Sequence, residues 1–150
     1  MTDAKYAFSE LQVITANATT VDSTNQVDLG DLEDHRGTDI ADSRAYGPAF
    51  GDIRLIVTVG VAADVAGNLT VALHDATATG GSFAAVVPAI ASPATAQATL
   101  VAGYTLLNIV LPRTLRRALK LVYTTSADWS SSTCAMNAYL RFGQQMNDNV

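Results

Sequence analysis

His74, Asp75 and Ser82 stand close together in the stretch NLTVALHDATATGGS, residues 68–82, and they are the residue types of a nucleophilic hydrolase site. In such a site the serine attacks, the histidine takes its proton, and the aspartate orients the imidazole through a direct hydrogen bond. The same stretch alternates apolar and polar residues through Leu69, Val71 and Leu73, the period of a β-strand with one face in a core. Adjacent side chains on a strand point to opposite faces, so His74 and Asp75 cannot make the bond a triad needs. No G-x-S-x-G elbow presents a serine anywhere in the chain. The sequence therefore predicts a strand end with an exposed histidine beside a turn, and no catalytic residue.

Two other clusters carry charge. DLGDLEDHRGTD holds Asp28, Asp31, Glu33, Asp34, His35 and Asp39, oxygen ligands of the kind Ca²⁺ takes, but the D-x-D-x-D-G register with its terminal glutamate is missing. Acids so grouped more often stay solvated or meet arginines on a partner, and no metal or cofactor is expected. LPRTLRRALK carries the one basic patch, Arg113, Arg116, Arg117 and Lys120, and no acid occurs in sequence between Asp75 and Asp128. Compensation from a partner's acids and a solvated strand edge that discourages aggregation weigh about equally. Nucleic acid fits less well, because no aromatic residues interleave the bases as a stacking platform. Trp129 and Tyr46 fit either an interface anchor or an ordinary edge-of-core residue, and the second is the commoner case.

The elements that must position these residues read as strands. In DIRLIVTVGV the apolar residues Ile53, Leu55, Val57, Val59 and Val61 fall on one face, and ALKLVYTT does the same with Leu119, Leu121 and Tyr123 opposite Lys120 and Thr124. TCAMNAYLRF sets Cys134, Met136, Ala138, Leu140 and Phe142 against Thr133, Asn137 and Arg141. Weaker strands are predicted near Phe8–Thr15, Asn25–Leu29, Ser82–Val87, Ala96–Val101 and Thr105–Leu111. Turn signals at DVAGN, Gly80-Gly81, Pro88, Pro93, Gly103 and Pro112 divide them. Short spacing and the lack of a 3.6-residue period predict an all-β sandwich, and about eight antiparallel strands fit a jelly roll. Between Gly30 and Gly51 the alternation stops in a long polar insertion, expected on the surface or at a contact. The reading is one domain over 1–150, with a core of about 6–142 and a polar tail over 143–150.

Composition bounds the function. The chain of 150 residues is 49% hydrophobic and only 15% charged, enough to bury a sizeable core but poor in the charge that coats most free-standing domains. Twenty-five alanines and seventeen threonines leave a neutral surface suited to permanent neighbours. A net charge of −5 speaks against nucleic acid, which needs a basic face to displace counterions. Residues 1–64 carry eleven acids and four bases, a net of −7, and residues 65–150 three acids and five bases, a net of +2. That asymmetry can orient subunits or partners. Cys134 is the only cysteine, so one chain can form neither a disulfide nor a thiolate metal cluster. No signal-like start or run of about 18 apolar residues occurs, so the reading expects no membrane and manufacture in a reducing cytoplasm.

The stretches FSELQVITANATTVDSTNQVDLG, NLTVALHDATATG and ATLVAGYTLLNIVLP, the last leading into RRALKLVYTTS, resemble the jelly-roll cement or decoration proteins of short-tailed bacteriophage capsids and their relatives. The resemblance spans about residues 6–142. Its most specific part is F-S-x-x-Q followed by S-T-N-x-x-D-L-G: Phe8, Ser9, Gln12, Ser23, Thr24, Asn25, Asp28, Leu29 and Gly30. It implies a non-enzymatic structural protein on the outer surface of a virion, bound to the major capsid protein and tying capsomers together, often as a homodimer at two-fold positions. On that reading the expected contacts are the N-terminal segment, the 31–51 insertion with Asp31, Glu33, Asp34, Arg36 and Tyr46, and the patch Arg113, Arg116, Arg117 and Lys120, whose arginines would grip capsid carboxylates. A carbohydrate- or receptor-binding jelly roll is the alternative. It would favour a row of exposed aromatics, and the chain is 7% aromatic with one tryptophan.

Overall fold

Alternation sets the frame. Ile53, Leu55, Val57 and Val59 of one strand, Leu69, Val71 and Leu73 of the next, and Leu119, Leu121 and Tyr123 of a third are all buried in a single core cluster. Each buried side chain of this size contributes about 1.5–3 kcal/mol by leaving water. The computed structural model describes residues 6–29, 53–112 and 114–142. Within them the strands are β1 (Ala7–Val13), β2 (Thr20–Asp22), β3 (Val27–Asp28), β4 (Ile53–Val61), β5 (Asn68–Ala76), β6 (Ala84–Ala85), β7 (Thr95–Ala96), β8 (Thr105–Val110), β9 (Ala118–Thr125) and β10 (Ala135–Phe142).

They form two antiparallel sheets. One has the order β1-β10-β4-β8; in the other β2, β9, β5 and β6 follow one another, with β3 also on β9 and β7 also on β5. Because β2 and β3 lie along the same neighbour, they are one interrupted strand, and β6 with β7 are another, which leaves eight. The first then pairs with the eighth, the second with the seventh, the third with the sixth and the fourth with the fifth. A long hairpin rolled up on itself has this pairing, and it defines the chain as an all-β jelly-roll sandwich.

The interruptions have local causes. Along β5 the partner segment carries Pro88 and Pro93, which cannot donate to a ladder. Ser92 restores the pairing between them, donating its N–H to the Val71 carbonyl while its hydroxyl accepts the Val71 N–H. Between β2 and β3 the Ser23 hydroxyl accepts the Leu121 N–H and donates to the Asn25 carbonyl.

Two expectations are corrected. Val61 does not continue the buried face of β4. Ala135 pairs with Val61 and Met136 with Val59, so Gly60 is an extra residue that turns Val61 outward. The strand expected over Ala96–Val101 ends at Ala96, and Gln97–Thr99 form a 3-10 turn. Trp129 belongs to the core, on the side of the commoner of its two readings. It is wholly buried, with its indole N–H on the Ala66 carbonyl. Cys134, expected to be buried, is. The tail 143–150 and the polar insertion lie outside the described residues.

Candidate functional site

β5 places Asp75 on its inner face, buried, and His74 on the outer one. Arg116 encloses Asp75: its backbone N–H donates to Oδ2 at 3.0 Å, Nε to Oδ1 at 2.8 Å, and Nη2 to the Asp75 carbonyl. Burial alone would raise the Asp75 carboxyl. The side-chain and backbone hydrogen bonds from Arg116, with its charge, outweigh burial and hold the carboxyl below its ordinary value. His74 faces Lys120 across the β5–β9 pair and is held below the ordinary histidine value, first by burial and then by the lysine charge. His74 and Asp75 are thus split between the two faces of the strand, as alternation requires.

Arg117 and Lys120 are likewise engaged. Arg117 grips Asp28 with Nε and Nη2 at 2.7 and 3.0 Å, and Lys120 meets Asp22 at 2.7 Å with its ammonium 4.9 Å from the centre of the Phe83 ring. The sequence left a partner's acids and a solvated strand edge as alternatives and did not foretell acids from within the chain. Neighbouring strands supply them, because β2, β3 and β5 all lie beside β9 or the turn before it. Arg113, Asp31, Glu33, Asp34, Arg36 and Tyr46 lie outside the described residues. Among the described residues, no three histidine, cysteine, aspartate or glutamate side chains group as metal ligands, and no helix is long and apolar enough to cross a membrane.

The residues of the F-S-x-x-Q … S-T-N-x-x-D-L motif come together as a stitch between the two sheets. Gln12 accepts the Ser9 hydroxyl and the Thr24 N–H on Oε1 and donates Nε2 to the Asp22 carbonyl. Asn25 donates its backbone N–H to Phe8 and its amide to Ala7. Ser9 also meets the Tyr123 hydroxyl at 2.9 Å, and since its own proton goes to Gln12, Tyr123 is the donor there. Burial pushes Tyr123 up to about 12, against a smaller lowering by Ser9. Phe8 and Leu29 fill the core. The motif thus holds β1 to β2 and β3 where the chain passes between sheets.

The outer face of the four-stranded sheet carries what sequence reasoning missed. Val13, Ala135 and Val61 lie directly opposite one another across β1, β10 and β4, so they share that face. Val13 is 45% and Val61 42% exposed. Leu11, 58% exposed, lies over Gly60: a Cβ there would come within 2.6 Å of its Cδ2. Val101, 55% exposed, sits in the turn that bonds alongside the end of β4 through Ala63–Leu100 and Gly103–Val59. The signal in sequence was Gly60, which follows the β-branched run Ile56–Val59 where a bulge reverses the faces. Beside this row, Ala7, Ser9, Glu10, Thr58, Asn137 and Tyr139 line a groove of about 320 Å³. Compared with models of known protein families and with curated proteins, the chain has no match.

Proposed function

We propose that this jelly roll is a non-catalytic structural protein of a virion, binding the outer surface of a bacteriophage capsid and cementing adjoining capsomers of the major capsid protein. The observation that carries the reading is the exposed apolar row of Leu11, Val13 and Val61, with exposed Val101 in the turn alongside β4. Exposed apolar side chains gathered at one end of a sheet favour a protein neighbour, and the resemblance supplies which neighbour. The cement motif supports the fold rather than the contact, since its described residues are spent on holding the sandwich together.

The mechanism follows from multivalency. A packaged genome strains its shell, and a subunit bridging two capsomers adds contact area that must be lost before they part. Each interface need only be moderate, because many identical bridges act together on a symmetric lattice, as homodimers across two-fold positions in the arrangement the resemblance implies.

Sedimentation of the purified protein with genome-free mature shells of its own phage tests this. Co-pelleting to a saturating ratio, with a raised shell melting temperature, is expected. Protein left in the supernatant, together with specific signals on a glycan array, would replace cementing with sugar recognition.

A further inference from the structure

Six acids occur among the described residues: Glu10, Asp22, Asp28, Asp64, Asp75 and Asp128. Five are engaged. Asp22, Asp28 and Asp75 hold cations, Asp64 accepts from Ser132 and Thr133, and Asp128 accepts the Ser130 N–H. Glu10 alone has no hydrogen-bond or ion-pair partner among the described residues, and it lines the groove on the outer face of the four-stranded sheet.

The backbone there is arranged to present it. β1 slips by one residue between Ser9 and Gln12, and within the slip Leu11 takes a left-handed φ of 47°. Left-handed backbone is costly for leucine, of order 1 kcal/mol or more. The Leu11 N–H is held by the Asn137 Oδ1 at 2.8 Å. A bulge of this kind re-aims side chains relative to the regular pleat. That same bond commits the Asn137 oxygen and leaves its Nδ2 as a donor. Glu10 thus shares the groove with Thr58, Asn137 and Tyr139. The nearest basic residues of the sheet, Arg54 and Arg141, face each other four pairs along the β4–β10 ladder from Thr58 and Asn137, with Ile56 and Tyr139 between them on the same face, and neither bonds to Glu10.

We infer that this groove takes a cationic side chain, arginine by preference, from a protein partner seated on the apolar row beside it. A carboxylate offers two acceptors to a planar guanidinium, and a tyrosine ring adds a stacking surface that an ammonium uses less well. The groove adjoins the apolar row through Leu11, so an arginine flanked by apolar residues would fill both at once. That the arginine belongs to the shell protein rests on the proposed function; that the groove binds a guanidinium does not.

The test separates these. The full chain, isotope-labelled, is titrated by NMR with N-acetyl-arginine N-methylamide and with its lysine and citrulline counterparts. Saturable shifts confined to Glu10, Thr58, Asn137 and Tyr139 are expected for arginine, weaker ones for lysine and none for citrulline. Glu10→Gln, at an exposed position with no partner, keeps the fold and is expected to weaken arginine binding about tenfold or more. Shifts that are absent or scattered, citrulline matching arginine, or undiminished binding by Glu10→Gln would overturn the assignment. So would the same confined shifts with a methyl glycoside, which make the groove a sugar site. Shell binding by Glu10→Gln at full strength, after it has lost the arginine derivative, would overturn the shell protein as the source.

Discussion

Asp75 is an ionised group on the inner face of a strand, and its retention there depends on Arg116. The guanidinium remains 40% exposed while the carboxylate side chain is 10% exposed, so the two partners are unequal: Asp75 is desolvated and Arg116 is not. Loss of the charge on Asp75 then costs the charge-assisted bonds without freeing a buried cation. Asp75→Asn is expected to destabilise by about 1–3 kcal/mol at neutral pH. The folded carboxyl is held below its ordinary value, so its contribution is complete above about pH 4 and is lost as pH falls through the folded value. Urea titrations at pH 7 and pH 3 should therefore show the gap between wild type and variant closing in acid. A gap that stays constant would mean that shape, not charge, sets the cost. The sequence separated His74 from Asp75 by alternation alone, but could not show Arg116 against Asp75, because the two are 41 positions apart with β6, β7 and β8 between them.

At the scale of elements, the strands that alternate cleanly were legible: β5 and β9, β4 as far as Val59 and β10 as far as Leu140 bury the residues their spacing selects. The illegible ones are ruled by pairing rather than by their own pattern. β2 and β3 are short because they follow β9, and Val61 leaves the core because Gly60 inserts a bulge. The two glycines that matter most act differently. Gly67, in the turn between β4 and β5, has a φ of 130°, and a Cβ there would meet Ala127 Cβ and Trp129 Nε1, both at 3.0 Å. Gly60 needs no unusual φ, and a Cβ would crowd only the ends of the Leu11 and Asn137 side chains. Gly67→Ala is accordingly expected to cost about 2 kcal/mol and Gly60→Ala about 1 kcal/mol. Thermal melts check the order, at roughly 3 °C per kcal/mol for a chain of this size. A larger loss at Gly60 would show that the Leu11 bulge is the more rigid feature.

For the whole molecule, the excess of acid in the first part of the chain and of base in the second is partly cancelled in the fold, through Asp22 with Lys120 and Asp28 with Arg117. A patch that looked like a docking surface in sequence is thereby tied into the sandwich, while the outward row around Val13 and Val61 has no such use among the described residues. The two surfaces predict opposite patterns of damage. Arg116→Ala with Arg117→Ala removes the grips on Asp75 and Asp28, and is expected to lower the melting temperature of the free protein while leaving shell binding intact below that melt. Val13→Thr with Val61→Thr keeps β-branching and nearly the same volume, so the free protein should melt close to wild type. At an interface it would place two hydroxyls where apolar area is buried, a loss of about 1 kcal/mol each and roughly thirtyfold together. Paired melts and shell-sedimentation isotherms decide between them. If the arginine pair loses binding with its melt unchanged, and the valine pair binds normally, the contact lies on the turn before β9 and not on the outer face of the four-stranded sheet.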